Sequence, residues 1–414
     1  MKVCIMGSGN QGTGMAGLLA QEPDCEELIL IDCELERANK AKSLVESLGD
    51  RCKVKSIKAY QGDASNVDQM IGYAKGADLI FNGLFASFNV PLMQTALAVG
   101  AHYMDLRSNV MEGPGIPYSE TIDAQLDMDE EFKAAGITAF PCLGLSPGWC
   151  SMAANYMIDQ MESLDTVIFR DVDWLDSTEL LAPILPRNLF ALWLGPPHPT
   201  RIINGKPEKI GLLESEEEYE FPAPAGKHKI YTFTNDPDII MISRFANKPI
   251  PYIEAKMGVC MGGLEMNDVW LKAISEQTCC HAGADDMFDL FGKSFNYNTN
   301  FRELYDQGIL KEGILAAAIE VTGKKNGTTV RHTVLHAVTM SEAMKHLPWA
   351  AHNVYGTIGG LTIAMALMLC RGEYTRRGVL TAAHLTNEKE LFDKKIAERG
   401  IILNEKIEKG NYLT

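Results

Sequence analysis

Three groups of residues have the types and spacing to do chemistry. The first is Gly7-Ser8-Gly9-Asn10-Gln11-Gly12, a Gly-x-Gly-x-x-Gly run between a short apolar segment and a helix-forming one. Gly7 allows the tight turn, Gly9 lets a pyrophosphate approach the backbone, and Gly12 lets the helix pack closely on the strand. The helix start then offers N–H groups and a partial positive charge to phosphates. Asp32 closes a second apolar run, Leu28-Ile29-Leu30-Ile31, twenty residues beyond Gly12. That is the position of an acidic side chain that binds a ribose 2′-hydroxyl. It repels a 2′-phosphate, so NAD is the expected cofactor and NADP the less favoured one; Arg37, one helical turn on, acts the other way.

The second group follows from the first. In a doubly wound sheet, ligands lie beyond the carboxyl ends of the strands. Those ends supply Asp63 and Ala64 for the adenosine half, and Asn82-Gly83-Leu84-Phe85 with Asp105 to Asn109 where a nicotinamide and a substrate meet. Leu145, Ser146 and Pro147, inside Gly144-Leu145-Ser146-Pro147-Gly148, complete the cofactor set. The third group lies further on. Asp171 and Asp173 flank Val172 and share one side of a predicted strand; they either recognise a cation or form the solvent face of a sheet. His332 and His336, four residues apart, share one side of another, which more often marks an exposed or satisfied face than catalysis. Ser146 is not read as a nucleophile, because its Pro147 neighbour spoils the geometry of a Gly-x-Ser-x-Gly elbow. Cys279-Cys280-His281 lacks a second ligand cluster, so no metal is expected.

The elements needed to hold these residues are legible. Strands are predicted at 2–6, 28–31, 53–59, 77–81, 102–106 and 137–140. Helices at 34–48, 90–99 and 122–135 alternate with them, as does one capped by Asp63 or Ser65 that holds Met70 and Tyr73. Such an order demands a parallel sheet with right-handed crossovers. After a helix from Trp149 to about 161 the character changes. Strands are predicted at 167–173, 200–203, 229–234, 239–243 and 252–259, and from 319–322 to 328–340 across Asn326-Gly327. That dipeptide and Asn204-Gly205 are hairpin turns. The acidic stretch 214–220 reads as a solvated loop. The apolar helix 359–370 needs burial on all sides, most simply between two domains. The expected fold is α/β: a Rossmann doubly wound parallel sheet plus an α+β second domain with a mixed or antiparallel sheet. The dinucleotide-binding domain takes 1–147 and 352–414, and a substrate and dimerisation domain takes 148–351.

Bulk properties narrow the class. A length of 414 residues allows two or three domains. The formal charge of −16 argues against nucleic acid or an anionic membrane as partner. No apolar stretch reads as long enough to cross a membrane, the longest being 361–370. The N-terminus enters a strand at once, leaving no room for a signal peptide. Ten scattered cysteines, with no Cys-x-x-Cys pair, suit reduced thiols in the cytoplasm. An open sheet in the second domain leaves an edge for a symmetric partner, so a homodimer is expected.

Taken together the chain resembles the saccharopine dehydrogenase family, and within it the lysine 6-dehydrogenase type. The resemblance rests on the glycine fingerprint with Asp32, on Asn82-Gly83-Leu84-Phe85 and on Ala101-His102-Tyr103-Met104-Asp105-Leu106. It rests further on Gly144-Leu145-Ser146-Pro147-Gly148, and on the tail segments Thr375-Arg376-Arg377-Gly378-Val379 and Ile396-Ala397-Glu398-Arg399-Gly400-Ile401. It implies reversible hydride transfer between a nicotinamide and a carbon bearing an amine, through an imine. Two stretches depart from that type: Arg107-Ser108-Asn109 replaces glycines, and Arg170-Asp171-Val172-Asp173-Trp174 replaces a glycine-rich segment. Both sit where the substrate belongs, so lysine itself is not implied.

The implied chemistry gives roles to the candidates. Amine oxidation needs deprotonation, and imine hydrolysis needs an activated water, tasks for one general base. Asp105 is the first candidate, the alternative being a cap for the next segment. Arg107 pairs a substrate carboxylate in a two-pronged contact or makes a surface ion pair. Asp173 completes the catalytic set. The expected function is an NAD-dependent oxidoreductase acting on a C–N bond of an amino acid or amine. The alternatives are imine reduction of the opine-forming or carboxyspermidine type, and a Rossmann protein that senses NAD without catalysis.

Overall fold

The alternation of apolar runs and amphipathic stretches becomes β1 (Lys2–Met6), α1 (Asn10–Leu19), β2 (Glu27–Asp32), α2 (Leu35–Glu46), β3 (Ser56–Gln61), α3 (Val67–Ala74), β4 (Leu79–Asn82), α4 (Asn89–Val99), β5 (His102–Asp105), α5 (Ile122–Leu126), α6 (Asp129–Ala134) and β6 (Thr138–Phe140). The structure is a computed structural model. It describes residues 1–110, 117–179, 181, 200–211, 214–232, 236–261, 264–265 and 300–410. Two units result: Met1–Met152 with Thr357–Arg399, and Ala153–Gly356 with Gly400–Thr414.

In the first unit the strands lie in the order β3-β2-β1-β4-β5-β6, extended by a short return strand at Gly378–Val379. Every pairing is parallel. The order reverses between β1 and β4, which opens the crevice a dinucleotide uses. Val3 to Met6 and Leu28 to Ile31 are buried, as expected where helices cover both faces of a parallel sheet. Two local expectations change. Asn66, not Asp63 or Ser65, caps α3 by accepting from the Gln69 N–H. Asp63 is occupied instead by the N–H and hydroxyl of Ser65. The helix expected over 122–135 breaks into α5 and α6.

The apolar helix is longer than the sequence suggests. It runs from His352 to Cys370, 19 residues, with a π turn at Ile358–Thr362 and non-helical backbone at Gly360. By length and composition it is able to cross a membrane. However, 89% of its apolar window is buried inside the protein, which marks a core helix. Its Ile363–Cys370 segment contacts α1, β4 and β5 of the first unit.

Helix α7 (Trp149–Asp159) starts in the first unit and ends in the second, which then contains β7 (Ser163–Ser177), β8 (Thr200–Ile203), β9 (Lys206–Lys209), β10 (Glu217–Glu220), β11 (Lys227–Ile230), α8 (Pro237–Phe245), β12 (Tyr252–Met261), β13 (Leu264–Glu265), β14 (Leu310–Lys325) and β15 (Thr328–Thr339). The return strand of the first unit is β16, and β17 is Ile402–Lys409. The large sheet has the order β17-β15-β14-β7-β12-β8-β9, with β13 on β12. It is mixed: β7 and β12 are parallel, and the other pairs antiparallel. Asn204 and Gly205, like Asn326 and Gly327, have φ between 49° and 75°, the left-handed pairs of type I′ hairpin turns.

Here too the structure corrects the sequence. Residues 239–243 belong to α8 rather than a strand. Asp236 accepts from the Asp238 N–H and Pro237 opens the first turn, a start signal that outweighs the strand preference of Ile239-Ile240. The acidic stretch is no loop, because Glu217 to Glu220 pair with β11. Glu217 also binds Arg170 at 2.8 Å and Lys256 at 3.0 Å. Strand β11 ends at Ile230, and 233–235 lie outside the described residues, as does Cys279-Cys280-His281. The chain end, expected with the nucleotide domain, instead adds β17 to the edge of the second sheet beside β15.

Candidate active site

The glycine turn is tightly specified by backbone. Gly7 has φ +89° and donates its N–H to Ile31 O at 2.8 Å. A Cβ on Gly12 would lie 1.8 Å from Gly7 O, whereas one on Gly9 would meet nothing within 4 Å. Gly9 is thus the open side of the turn and Gly12 the closed one. No side chain caps α1, which starts at Asn10 and Gln11. Ser8 Oγ and Gln11 Oε1 are buried without a hydrogen-bond partner among the described residues. The unpartnered Ser8 hydroxyl, a donor beside an uncapped helix start, fits a bound anion such as a pyrophosphate, whereas Gln11 Oε1, an acceptor, calls for a donor.

Asp32 does more than its position in the sequence implied. It is 7% exposed; Oδ2 accepts from Ser8 N at 2.9 Å and Oδ1 from Glu34 N at 3.0 Å. The carboxylate therefore ties the end of β2 to the glycine turn. Arg37, which weighed against NAD, pairs with Glu34 at 2.8 Å. Ala64 is packed in the core beside Met70, and Asp63 stands next to it at the end of β3. At the end of β4, Gly83 donates to Met6 O, and Leu84 leans over Gly7, its Cδ2 only 2.6 Å from where a Gly7 Cβ would sit. Phe85 is 56% exposed.

Asn82 and Asp105 are both buried, in one network. Asn82 Nδ2 donates to Asn89 Oδ1 and to Tyr103 Oη, and its Oδ1 accepts from Leu84 N. Tyr103 Oη donates to Asp105 Oδ2 at 3.0 Å, Gln125 Nε2 donates to the same oxygen at 2.7 Å, and Cys142 N donates to Oδ1 at 2.8 Å. Asp105 is 1% exposed, and burial pushes its carboxyl from 3.8 up to about 6. Both of its oxygens thus accept hydrogen bonds from the protein. Its carboxylate takes Cys142 N while its backbone oxygen takes Leu143 N at 2.8 Å, so it fixes the entry to the next loop. That loop closes on itself: Gly144 N donates to Pro147 O, and Trp149 N to Gly144 O, with Leu145 and Pro147 buried and Ser146 half-buried. Arg107 stands differently. Its side chain is exposed, with no ion pair to any described residue, and the adjacent Ser108 Oγ is buried without a partner.

In the second unit, Asp171 and Asp173 do share a face of β7, but that face is not the solvent side. Val172 points the other way, into a cluster with Phe221, Ile230 and Ile314. Asp171 is 6% exposed. Asp173 Oδ1 is 2.6 Å from His352 Nε2, and its Oδ2 accepts from Asn353 Nδ2 at 3.1 Å. His332 and His336 are buried rather than exposed. His332 Nε2 lies 2.7 Å from Glu405 Oε1 on β17. Burial holds His336 down to about 3, so it is neutral at neutral pH.

Residues 3–140 match the family of the saccharopine dehydrogenase NADP binding domain. The chain carries a saccharopine dehydrogenase-type nucleotide domain. Beyond that domain, 93% of the chain aligns at 24% identity with 92% of the carboxynorspermidine synthase of Vibrio cholerae serotype O1. Among solved structures, 98% of the chain overlays 99% of saccharopine dehydrogenase (L-Glu forming) from Saccharomyces cerevisiae, at a TM-score of 0.66 and 14% identity. The homospermidine synthase of Legionella pneumophila, solved in complex with NAD, overlays at 0.67 and 11% identity, with 99% and 92% of the two chains covered. At those identities the likeness is one of fold. The saccharopine dehydrogenase-type domain has the expected Rossmann sheet, and the second unit the expected mixed one.

Proposed function

We propose that this protein is an NAD-dependent oxidoreductase that makes or breaks a C–N bond of an amino acid or amine by hydride transfer at an imine carbon. The observation that carries the reading is the cradle of Gly7, Gly9 and Gly12, with the unpartnered Ser8 hydroxyl, inside a saccharopine dehydrogenase-type domain. A bound nicotinamide supplies or accepts the hydride. The chain's own residues do the rest. The turn and the start of α1 hold the pyrophosphate, and Leu84 and Phe85 flank the crevice beyond β4. The exposed guanidinium of Arg107 takes a substrate carboxylate, with Ser108 as a neighbouring donor. Asp105 keeps Leu145, Ser146 and Pro147 in place.

The imine-reducing direction, as in opine-forming or carboxyspermidine-type enzymes, is favoured by one finding: the aligned Vibrio protein is named a synthase of carboxynorspermidine. Mixing the protein with reduced cofactor and paired amines and carbonyl compounds, while following the loss of reduced-cofactor absorbance, tests both directions' shared chemistry. Tight cofactor binding with no turnover on any amine, amino acid or amine–carbonyl pair would leave only a nucleotide-sensing role.

NAD is the proposed cofactor, because the acidic Asp32 and Glu34 stand where a 2′-phosphate would lie. Asp32→Ala is expected to weaken NAD by about tenfold or more and NADP clearly less. Both lose something, since Ser8 N loses its acceptor. Equal losses in fluorescence titrations would show that Asp32 does not discriminate at the ribose. The free thiols at Cys4, Cys25, Cys33, Cys52 and Cys370 support a cytoplasmic location. A homodimer is supported by β17, a sheet edge with Ile402 and Ile407 exposed. Sedimentation as a monomer at micromolar concentration would contradict it.

A further inference from the structure

We infer that the outer edge of β17 is a self-recognition surface, along which two copies of this chain pair antiparallel in a register centred on Ile407. The inference rests on the homodimer reading and gives it a strand, a register and a set of contacts. β17 ends the large sheet, and no described strand pairs with its outer side. The two ends of that sheet are built differently. At the far end β9 is four residues long, Lys206-Pro207-Glu208-Lys209, all of them exposed. A short strand with a proline and two lysines is guarded against further pairing. β17 has eight residues, no proline and an exposed isoleucine, Ile407.

Backbone groups at this edge point away from β15. Gly410 N donates to Thr329 O at 3.2 Å, which makes that opposed couple a hydrogen-bonded one. Hydrogen-bonded and non-hydrogen-bonded couples alternate in an antiparallel ladder, so Ile402, Asn404, Lys406 and Glu408 are the residues that bond β15. Leu403, Glu405, Ile407 and Lys409 therefore turn their N–H and C=O groups outward.

The side chains select the partner and the register. Outward from Ile407 in both directions, Glu405-Lys406-Ile407-Glu408-Lys409 carries opposite charges at equal distances. A two-fold axis at Ile407 sets Glu405 against the partner's Lys409 and Lys406 against the partner's Glu408. Ile407 meets the partner's Ile407. Every charge then faces its opposite across the strands. The couples formed by Glu405 with Lys409 and by Ile407 with its copy are also those whose backbone groups point outward, so they hydrogen-bond. Moving the axis by one residue sets Lys406 or Glu408 against itself, and by two residues Glu405 or Lys409. Like charges in direct opposition are destabilising. Each strand already holds its charges in place: Glu405 Oε1 lies 2.7 Å from His332 Nε2, and Lys406 Nζ 2.7 Å from Glu408 Oε1. Paired with their copies, Lys406 and Glu408 close a ring of alternating charge on one face of the joined sheet.

The test is sedimentation of the whole protein at micromolar concentration, with two charge-reversed variants. One carries Glu405→Lys and Glu408→Lys, the other Lys406→Glu and Lys409→Glu. Wild type is expected to be a dimer, and each variant alone a monomer, its dissociation constant raised about 100-fold or more. Mixed in equal amounts the two variants should dimerise again, because the all-lysine strand meets the all-glutamate one in the same register. That recovery also shows that both are folded. Ile407→Cys should cross-link to its own copy on addition of hydrogen peroxide, since opposed residues of a hydrogen-bonded couple lie within reach of a disulfide. Leu403→Cys should not, and peptide mapping reads both. Variants that stay dimeric, monomers that do not combine on mixing, or a cross-link at Leu403→Cys in place of Ile407→Cys would each overturn the proposal. Dimeric variants remove this edge and leave the homodimer reading standing, whereas a monomeric wild type removes both. NAD affinity, titrated on every sample, should be unchanged, so the oxidoreductase reading is judged separately.

Discussion

Gly12→Ala should abolish useful dinucleotide binding, lowering the affinity for NAD and NADP alike by about 100-fold or more. The added methyl would lie 1.8 Å from Gly7 O and 3.1 Å from Gly7 C, and 3.2 Å from Ile5 Cγ2. Two of those atoms are backbone held by other bonds: Gly7 N is fixed to Ile31 O. Rotamer changes therefore give no relief, and α1 has to move off β1. That displaces the helix start from the phosphates and loosens Ser8, which Asp32 holds. Gly9→Ala is the informative partner. Gly9 has φ −76°, and its Cβ would meet nothing within 4 Å. Folding should then be untouched, and any loss of affinity would come from the methyl meeting the ligand. Fluorescence titration of the cofactor with parallel thermal melts separates the two cases. Wild-type affinity in Gly12→Ala would show that this turn is not the cofactor cradle.

The contrast between these glycines also shows what was legible in the residues and what was not. The nucleotide domain could be read because its signals are local: an apolar run, a glycine turn and an acid at a fixed distance along one chain segment. The same holds for the two Asn-Gly hairpins, whose left-handed residues leave a two-letter trace. The mistakes fall where tertiary partners decide. Residues 239–243 look like a strand until the Asp236-Pro237 start is weighed, and Glu217 looks solvated until Arg170 and Lys256 are brought to it. Asp105 stands at a strand end, as its sequence context predicts. What the sequence does not show is that Gln125, from a helix with no distinguishing pattern, donates to its carboxylate. Only Tyr103, two residues before Asp105 and so on the same face, offered a local sign. His352 lies 179 residues from Asp173, and no spacing rule connects them.

Asp105 accordingly supplies the other large effect, on stability rather than on proton transfer. Its carboxyl titrates near 6 in the folded protein and near 3.8 when exposed. Between those values the folded state binds a proton that the unfolded state has lost. Stability from this group is thus fully present below about pH 4 and is lost as the pH rises through 6. The shift of about two units corresponds to about 3 kcal/mol of unfolding free energy. Burial is the larger cause, opposed by the donors Cys142 N, Gln125 and Tyr103. Asp105→Asn removes the ionisable group and keeps one acceptor oxygen, so this part of the pH dependence should vanish in urea melts taken across that range. Asp105→Ala leaves Cys142 N and Tyr103 Oη buried without this acceptor and Gln125 Nε2 with only the Met93 sulfur, and a loss of about 3 kcal/mol or more is expected at every pH. A role as general base predicts something else: near-normal folding of both variants, with the loss confined to turnover. If Asp105→Asn keeps the wild-type pH slope and loses only catalysis, the carboxylate acts on substrate; if the slope goes and Asp105→Ala barely folds, its work is to hold the Cys142 turn and the Leu145-Ser146-Pro147 loop behind it.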